Sequence, residues 1–194
     1  MLSSIHPLGE RGKQNRFGLT AGAFVVGATI GGLVTGAVAG VVGLPLDLAL
    51  SDDAAVVLVA VVALATAVAE ARGTRLPSVP RQVNEDWLTT YRGWVYGVGF
   101  GFQLGAGVLT YITSAAVYLA VASAILVGHP LGSLAIMGVF GLARGLSILP
   151  ARVITSPQRL TDFFRSLHRT APAARHASWV ILTVLALTAP LALL

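Results

Sequence analysis

Cysteine is absent from this 194-residue chain, and charged residues are scarce. Without cysteine there are no disulfide bonds, thiolate metal sites or cysteine nucleophiles. Charged residues make up 11% of the chain, against about 25% in soluble domains. The hydrophobic fraction is 55% and mean hydropathy is +0.80, which is more apolar surface than one small soluble core could bury. The composition therefore predicts an all-α integral membrane protein, with residues 1–194 forming a single transmembrane domain.

Sequence motifs for catalysis are missing as well. The chain has no serine-hydrolase elbow, zinc-protease helix or phosphate-binding loop. No ionisable residue lies near the middle of a predicted span, although proton-coupled pumps generally need one there. We therefore expect no enzyme activity and no cofactor, and we assign no catalytic, cofactor-binding or metal-binding residue.

Five hydrophobic runs predict about five transmembrane helices. They cover residues 17–46, 54–71, 94–128, 131–149 and 178–194. A membrane span needs about 20 apolar residues, so the second, fourth and fifth runs fit one helix each. The first and third runs are Gly-rich and too long for one upright span. Each of these two runs must tilt strongly, break, or extend past the lipid.

The basic residues predict the orientation of the chain. All thirteen lysines and arginines fall in the N-terminus 1–16, in the connections 72–92 and 151–177, or at Arg144. The positive-inside rule then predicts a multi-pass protein of the plasma membrane, the inner membrane in a bacterium, with a cytoplasmic N-terminus. Because these residues flank apolar spans, we expect them to meet anionic lipid rather than nucleic acid.

A shift of 78 residues aligns the first run with the third run and the second run with the fourth. The shift places Gly27 on Gly105 and Thr35 on Thr113. This alignment is consistent with an internal repeat of a two-helix unit. Transporters are often built from such repeats, with the binding site at the repeat interface.

Glycines spaced by four residues mark one face of the third run, at Gly93, Gly97, Gly101 and Gly105. Such a face lets two helices approach closely, either within this chain or as a groove for a ligand or partner helix. Polar residues follow these glycines, where an unsatisfied group in lipid would be costly. The candidate solute-lining or helix-crossing residues are Gly27, Gly31, Thr35, Gln103, Gly105, Thr110 and Thr113.

The segment before the fifth run has an amphipathic pattern. Leu160, Phe163, Phe164 and Leu167 recur at helical spacing with arginines between them. The pattern predicts an amphipathic helix that lies on the inner leaflet or docks onto the bundle.

The stretch from Gly101 to Thr110 resembles a core helix of the transmembrane electron-carrier family of cytochrome c biogenesis and thiol–disulfide transport, a relative of the lysine-exporter superfamily. The run from Leu131 to Leu149 is similar to the helix that follows in that family. The family carries Pro-Cys in each kinked helix, and the matching positions here hold Val108-Leu109 and Ile30-Gly31. The resemblance implies a cysteine-less relative that keeps the architecture and lacks the redox activity.

Two functions are compatible with these features. The first is a transporter-like bundle that binds or moves a small solute at the interface of the first and third runs. The alternative is a non-catalytic membrane subunit or assembly scaffold that packs against a partner protein or a second copy. Polar residues around a cavity would favour the first function. Glycine faces left open to lipid would favour the second.

Overall fold

The computed structural model describes residues 5–74, 76–78, 86–112 and 114–193. Within these ranges every regular element is a helix. The α-helices are α1 (Pro7–Gly12), α2 (Phe17–Ala49), α3 (Asp52–Arg72), α4 (Trp87–Thr90), α5 (Gly93–Gly105), α6 (Ala116–Leu126), α7 (Pro130–Leu146) and α8 (Pro157–Thr188), and the 3-10 turns are Leu149–Val153 and Ala189–Leu193.

Four helical stretches in the described ranges are long and apolar enough to cross a membrane. They are Phe17–Ala49, Asp52–Arg72, Pro130–Val153 and Pro157–Leu191. Large apolar side chains point outward from them; Val41 and Val139, for example, are 68% and 67% exposed. An apolar outer surface of this kind is typical of helices that face lipid.

The first hydrophobic run extends instead of breaking. Helix α2 is unbroken over 33 residues, about 50 Å at 1.5 Å per residue, whereas a bilayer core is about 30 Å thick. Pro45 lies inside the last two turns of α2 without ending it. The chain then turns at Ser51, whose hydroxyl accepts a hydrogen bond from the Ala54 amide and caps α3.

The third run breaks, which is one of the three outcomes expected for it, and the described residues hold four candidate spans where about five were predicted. Helices α5 and α6 have 13 and 11 residues, and each is too short to span a membrane alone. Between them the chain leaves the helix, with Gly107 at φ +77°. Gly93, at the start of α5, lies beside Thr20 near the start of α2, and Gly128, just after α6, lies beside Asp47 near its end. Two short helices thus cover the length of α2 together.

Helix α2 is the centre of the bundle. Contacts of Gly97, Gly101 and Gly105 advance from Thr20 through Phe24 to Ala28, so α5 runs parallel to α2. Helix α7 runs antiparallel to α2, because Gly36 meets Ser133 and Gly32 meets Met137. A second core joins α3, α6 and α8 through Ala63, Ala67, Leu119, Leu182 and Ala186. The 78-residue shift thus pairs the unbroken helix α2 with the broken run of α5 and α6. The two units of the predicted repeat therefore differ in structure.

Helix α8 joins the amphipathic segment to the fifth hydrophobic run. It is one helix of 32 residues that continues through Pro172. Pro157 occupies its first turn, and the Ser156 hydroxyl accepts a hydrogen bond from the Arg159 amide, as suits a helix start. A proline inside a helix removes one backbone hydrogen bond without necessarily ending the helix, so the amphipathic segment and the fifth run can form one element.

Candidate functional site

The crossing of α2 and α5 is built from glycines on both helices. A Cβ atom added at Gly27 would collide with the backbone carbonyl of Val98. A Cβ atom added at Gly105 would collide with the carbonyl of Ala28, and one at Gly31 would lie 2.9 Å from the Ala106 nitrogen. Since any side chain larger than hydrogen would push the two backbones apart, the close approach depends on these glycines.

Glycines also line the contact between α2 and α7. A Cβ atom added at Gly36 would lie 2.7 Å from the carbonyl oxygen of Ser133, and one at Gly141 would lie 3.0 Å from the Gly32 Cα atom. The glycine faces that cross inside the bundle are thus filled by this chain's own helices. Gly18 and Gly22 differ, because an added Cβ atom there would meet no heavy atom within 4 Å.

The predicted polar residues have separate roles around the break in the third run. The Thr35 hydroxyl lies 3.1 Å from the Gly31 carbonyl oxygen and 3.2 Å from that of Ala106, so it ties α2 to the break. Thr110 is buried, and its hydroxyl has no hydrogen-bond partner in the described part of the chain. Gln103 is half-buried on α5. Thr113 lies outside the described residues.

A polar cleft of about 330 Å³ opens beside the break, where α3 ends. Its wall includes Glu70, Thr74, Tyr111 and Arg175. None of the described residues that were predicted to line a solute site belongs to this wall. The Glu70 carboxylate accepts hydrogen bonds from the Ala115 amide at 2.8 Å and the Ser114 hydroxyl at 3.4 Å. Glu70 thereby satisfies an amide at the start of α6, where the orphan amides of a helix attract negative charge.

A buried carboxylate joins the N-terminal segment to the bundle. Glu10 of α1 is 0% exposed. Its carboxylate accepts hydrogen bonds from the Thr20 hydroxyl of α2 at 2.8 Å and from the Tyr96 hydroxyl of α5. The Asn15 side chain donates to the Tyr96 oxygen at 3.2 Å, and the Lys13 ammonium lies 5.4 Å from the centre of the Tyr96 ring. We call these five side chains the Glu10 cluster.

The Glu10 cluster is not among the residues predicted from the sequence, because the basic residues of the N-terminus 1–16 predict a cytoplasmic segment and no contact with the bundle. Two local features mark helix α1 itself, although neither indicates the partners of Glu10. Pro7 suits the first turn of a helix, and His6 caps that helix by accepting a hydrogen bond from the Gly9 amide at 3.1 Å. Ile5 is fully buried in the same core as Tyr96. The N-terminal segment is therefore packed onto the bundle.

The chain is similar to curated proteins described as methylamine utilization protein MauF. It is 32% identical to that of Paracoccus versutus over 127 residues, which cover 64% of this chain and 45% of the relative. It is 28% identical to those of Methylophilus methylotrophus over 151 residues (76% and 53%) and Methylobacillus flagellatus over 162 residues (79% and 57%). The chain spans about half the length of these relatives. No protein-family model and no solved structure matches it.

These relatives correct the resemblance drawn from the sequence. They are MauF proteins and not members of the cytochrome c biogenesis or lysine-exporter families. Gly-rich helices arise wherever membrane helices pack closely, so the stretch from Gly101 to Thr110 was not specific enough to identify a family. Solute transport finds no support in the relatives either. The alternative of a non-catalytic subunit fits them better.

Proposed function

We propose that this chain is a non-catalytic accessory membrane protein of methylamine utilization, and that it acts by packing against a partner membrane protein. The similarity to MauF proteins over 127 to 162 residues carries the proposal. The proposal makes the chain a subunit or assembly scaffold, as the alternative drawn from the sequence stated.

The packing of the bundle leaves no space between the backbones at the crossing where a solute site was predicted, so a partner would meet the outer surface and not the closed glycine faces. Where the sequence favoured a solute site, the backbones of α2, α5 and α7 approach too closely for side chains at Gly27, Gly105 or Gly141. Interdigitated backbones of this kind give a rigid interior with few alternative arrangements. A rigid bundle with an apolar outer surface is suited to present that surface to another membrane protein.

The charge distribution supports a multi-pass protein of the inner membrane with a cytoplasmic N-terminus. Helix α3 has 21 residues between Asp52 and Arg72, about 31 Å, which matches the bilayer core. Arg72 ends α3, and Arg144 lies in the last turn of α7. In this orientation both arginines lie near the inner boundary, where anionic headgroups attract the exposed Arg72. Asp52 and Asp53 then start α3 at the outer boundary.

Growth of the native host on methylamine tests the proposal. Deleting the gene should slow growth when methylamine is the nitrogen source and leave growth on ammonium unchanged. Wild-type protein and the Gly22→Ala variant, altered at an open position, should restore growth. The Gly105→Leu variant, which cannot close the α2–α5 crossing, should not restore it. Normal growth of the deletion strain on methylamine would contradict the proposed function.

A further inference from the structure

The polar cleft beside the end of α3 has two opposite charges in its wall. Glu70 of α3 and Arg175 of α8 both border this space of about 330 Å³, which we call the Glu70 cleft. A neighbouring hollow of about 370 Å³ shares both residues and adds Trp179. The salt bridge found in the described part of the chain joins Asp162 and Arg165. Glu70 and Arg175 therefore border the same space without pairing with each other.

The Glu70 carboxylate uses one of its two oxygen atoms within the chain. Its Oε2 atom accepts the hydrogen bonds from the Ala115 amide and the Ser114 hydroxyl. Its Oε1 atom has no hydrogen-bond donor among the described residues. Because Glu70 is half-buried at the edge of the cleft, an ammonium group that enters the cleft can satisfy this oxygen with a charge-assisted hydrogen bond.

The Arg175 guanidinium has no hydrogen-bond acceptor in the described part of the chain. It lies 3.9 Å from where a Cβ atom of Gly73 would be, just past the end of α3. A helix end attracts a cation, but the carbonyls of Ala69 and Glu70 there already accept backbone hydrogen bonds at 3.2 Å. The planar guanidinium therefore keeps its N–H donors for a ligand, and their fork matches the geometry of a phosphate.

Aromatic rings border the two charged groups. Trp179 follows Arg175 by four residues, so both lie on one face of α8, and Tyr111 borders the cleft from the break in the third run. The two aromatic side chains are 40% and 59% exposed. Aromatic faces attract ammonium groups. The cleft thus combines one negative group, one positive group and exposed ring surface.

We propose that the Glu70 cleft binds a zwitterionic group in which a primary ammonium is joined to a phosphate by a short linker. The phosphate lies on Arg175 and the ammonium on the Oε1 atom of Glu70. The carboxylate repels a simple anion and the guanidinium repels a simple cation, whereas the zwitterion matches both charges. Phospholipids with an aminoalkyl headgroup carry this chemistry, and so do free aminoalkyl phosphates. The site does not depend on the proposed function, so either can fail alone.

Binding of soluble headgroups to the full-length chain in a maltoside detergent tests the proposal. Glycerophosphoethanolamine carries both charges, whereas glycerophosphoglycerol carries only the phosphate. We expect calorimetry to show that the first compound binds about tenfold more tightly. Glu70→Gln, which keeps an acceptor for the Ala115 amide, and Arg175→Gln should each weaken its binding about tenfold. The control variants Asp53→Asn and Arg169→Gln, altered at exposed charges outside the cleft wall, should bind it like the wild type.

Equal binding of the two headgroups would overturn the proposal, and so would wild-type affinity in either cleft variant. A direct ion pair would overturn it as well. In that case Glu70→Gln, Arg175→Gln and the double variant would show coupled losses of Tm in the absence of any headgroup.

Native mass spectrometry after extraction from nanodiscs of mixed phosphatidylethanolamine and phosphatidylglycerol distinguishes the source of the ligand. Preferential retention of phosphatidylethanolamine, lost in Arg175→Gln, supports the proposal with a membrane lipid as the ligand. Tight binding of glycerophosphoethanolamine without any lipid preference supports it with a free molecule as the ligand. Absence of both would overturn it.

Discussion

Replacing Gly105 by alanine should weaken the bundle because no space exists for a methyl group at the α2–α5 crossing. The added Cβ atom would lie 2.5 Å from the carbonyl carbon of Ala28 and 2.6 Å from its Cα atom. An ordinary contact needs about 3.4 Å, so the two backbones must separate by at least about 0.9 Å, since the Ala28 carbonyl oxygen is closer still. Overpacking of this kind costs about 1–3 kcal/mol. Gly22→Ala meets nothing and should gain up to about 1 kcal/mol of helix stability.

Thermal unfolding of the purified variants in one detergent measures this difference. A gap of about 1–4 kcal/mol between the two variants corresponds to roughly 2–16 °C in Tm for a chain of this size. We expect Gly105→Ala to melt below the wild type and Gly22→Ala to melt at or above it. Equal melting temperatures for the two variants would refute the reasoning, because the same chemical change would then have the same effect in a filled and an open position.

Gly128 cannot serve as a neutral control in such a series. It lies in a connection, where the sequence alone suggests that a larger residue is harmless. Its φ angle is +62°, a conformation that residues with a Cβ atom rarely adopt. An added Cβ atom would also collide with the Asp47 side chain, with 2.7 Å to its Cγ atom. Gly128→Leu should therefore destabilise the protein by a separate mechanism.

Three further substitutions test individual contacts by thermal unfolding. Glu10→Ala leaves two buried hydroxyls without their carboxylate acceptor and should cost about 1–3 kcal/mol of stability. Glu10→Gln keeps an acceptor oxygen and should cost less. Equal losses for the two variants would contradict the role of the carboxylate oxygens. Thr35→Val removes the hydrogen bond from α2 to the Ala106 carbonyl at the break and should cost about 1 kcal/mol of stability. Thr29→Val loses only a hydrogen bond within its own helix and should cost less. Glu70→Ala removes the acceptor of the Ala115 amide and should cost about 0.5–2 kcal/mol of stability. The loss for Glu70→Gln should lie between that of Glu70→Ala and the wild type. An unchanged Tm for Glu70→Ala would show that this amide needs no partner.

Helices could be predicted from the sequence where the length and apolar character of a hydrophobic run are enough to define them. The first two runs were expected over 17–46 and 54–71, and the helices are Phe17–Ala49 and Asp52–Arg72. Run length and apolar character are enough for such helices. The break after Gly105 was one of three outcomes left open, because glycines continue through the run and mark no single position. The position of the break depends on contacts across the bundle, such as that between Thr35 and the Ala106 carbonyl.

The Glu10 cluster could not be predicted, for a related reason. The partners of Glu10 lie 10 and 86 residues away along the chain, and no local pattern links a carboxylate in a basic segment to a tyrosine in an apolar run. Because the N-terminal segment packs against α2 and α5, the Glu10 carboxylate is buried and requires hydrogen-bond donors there. Sequence periodicity describes the face of a single helix and gives no information on contacts at such separations.

Purification of the full-length chain from native membranes tests the central claim most directly. A tagged copy at its own locus is extracted in mild detergent, and the mass of the particle is measured by native mass spectrometry. An accessory subunit should emerge with a different membrane polypeptide at fixed stoichiometry, and the particle should exceed the 20.0 kDa of this chain by the mass of that partner. A stable particle that contains this chain alone, from cells growing on methylamine, would contradict the account.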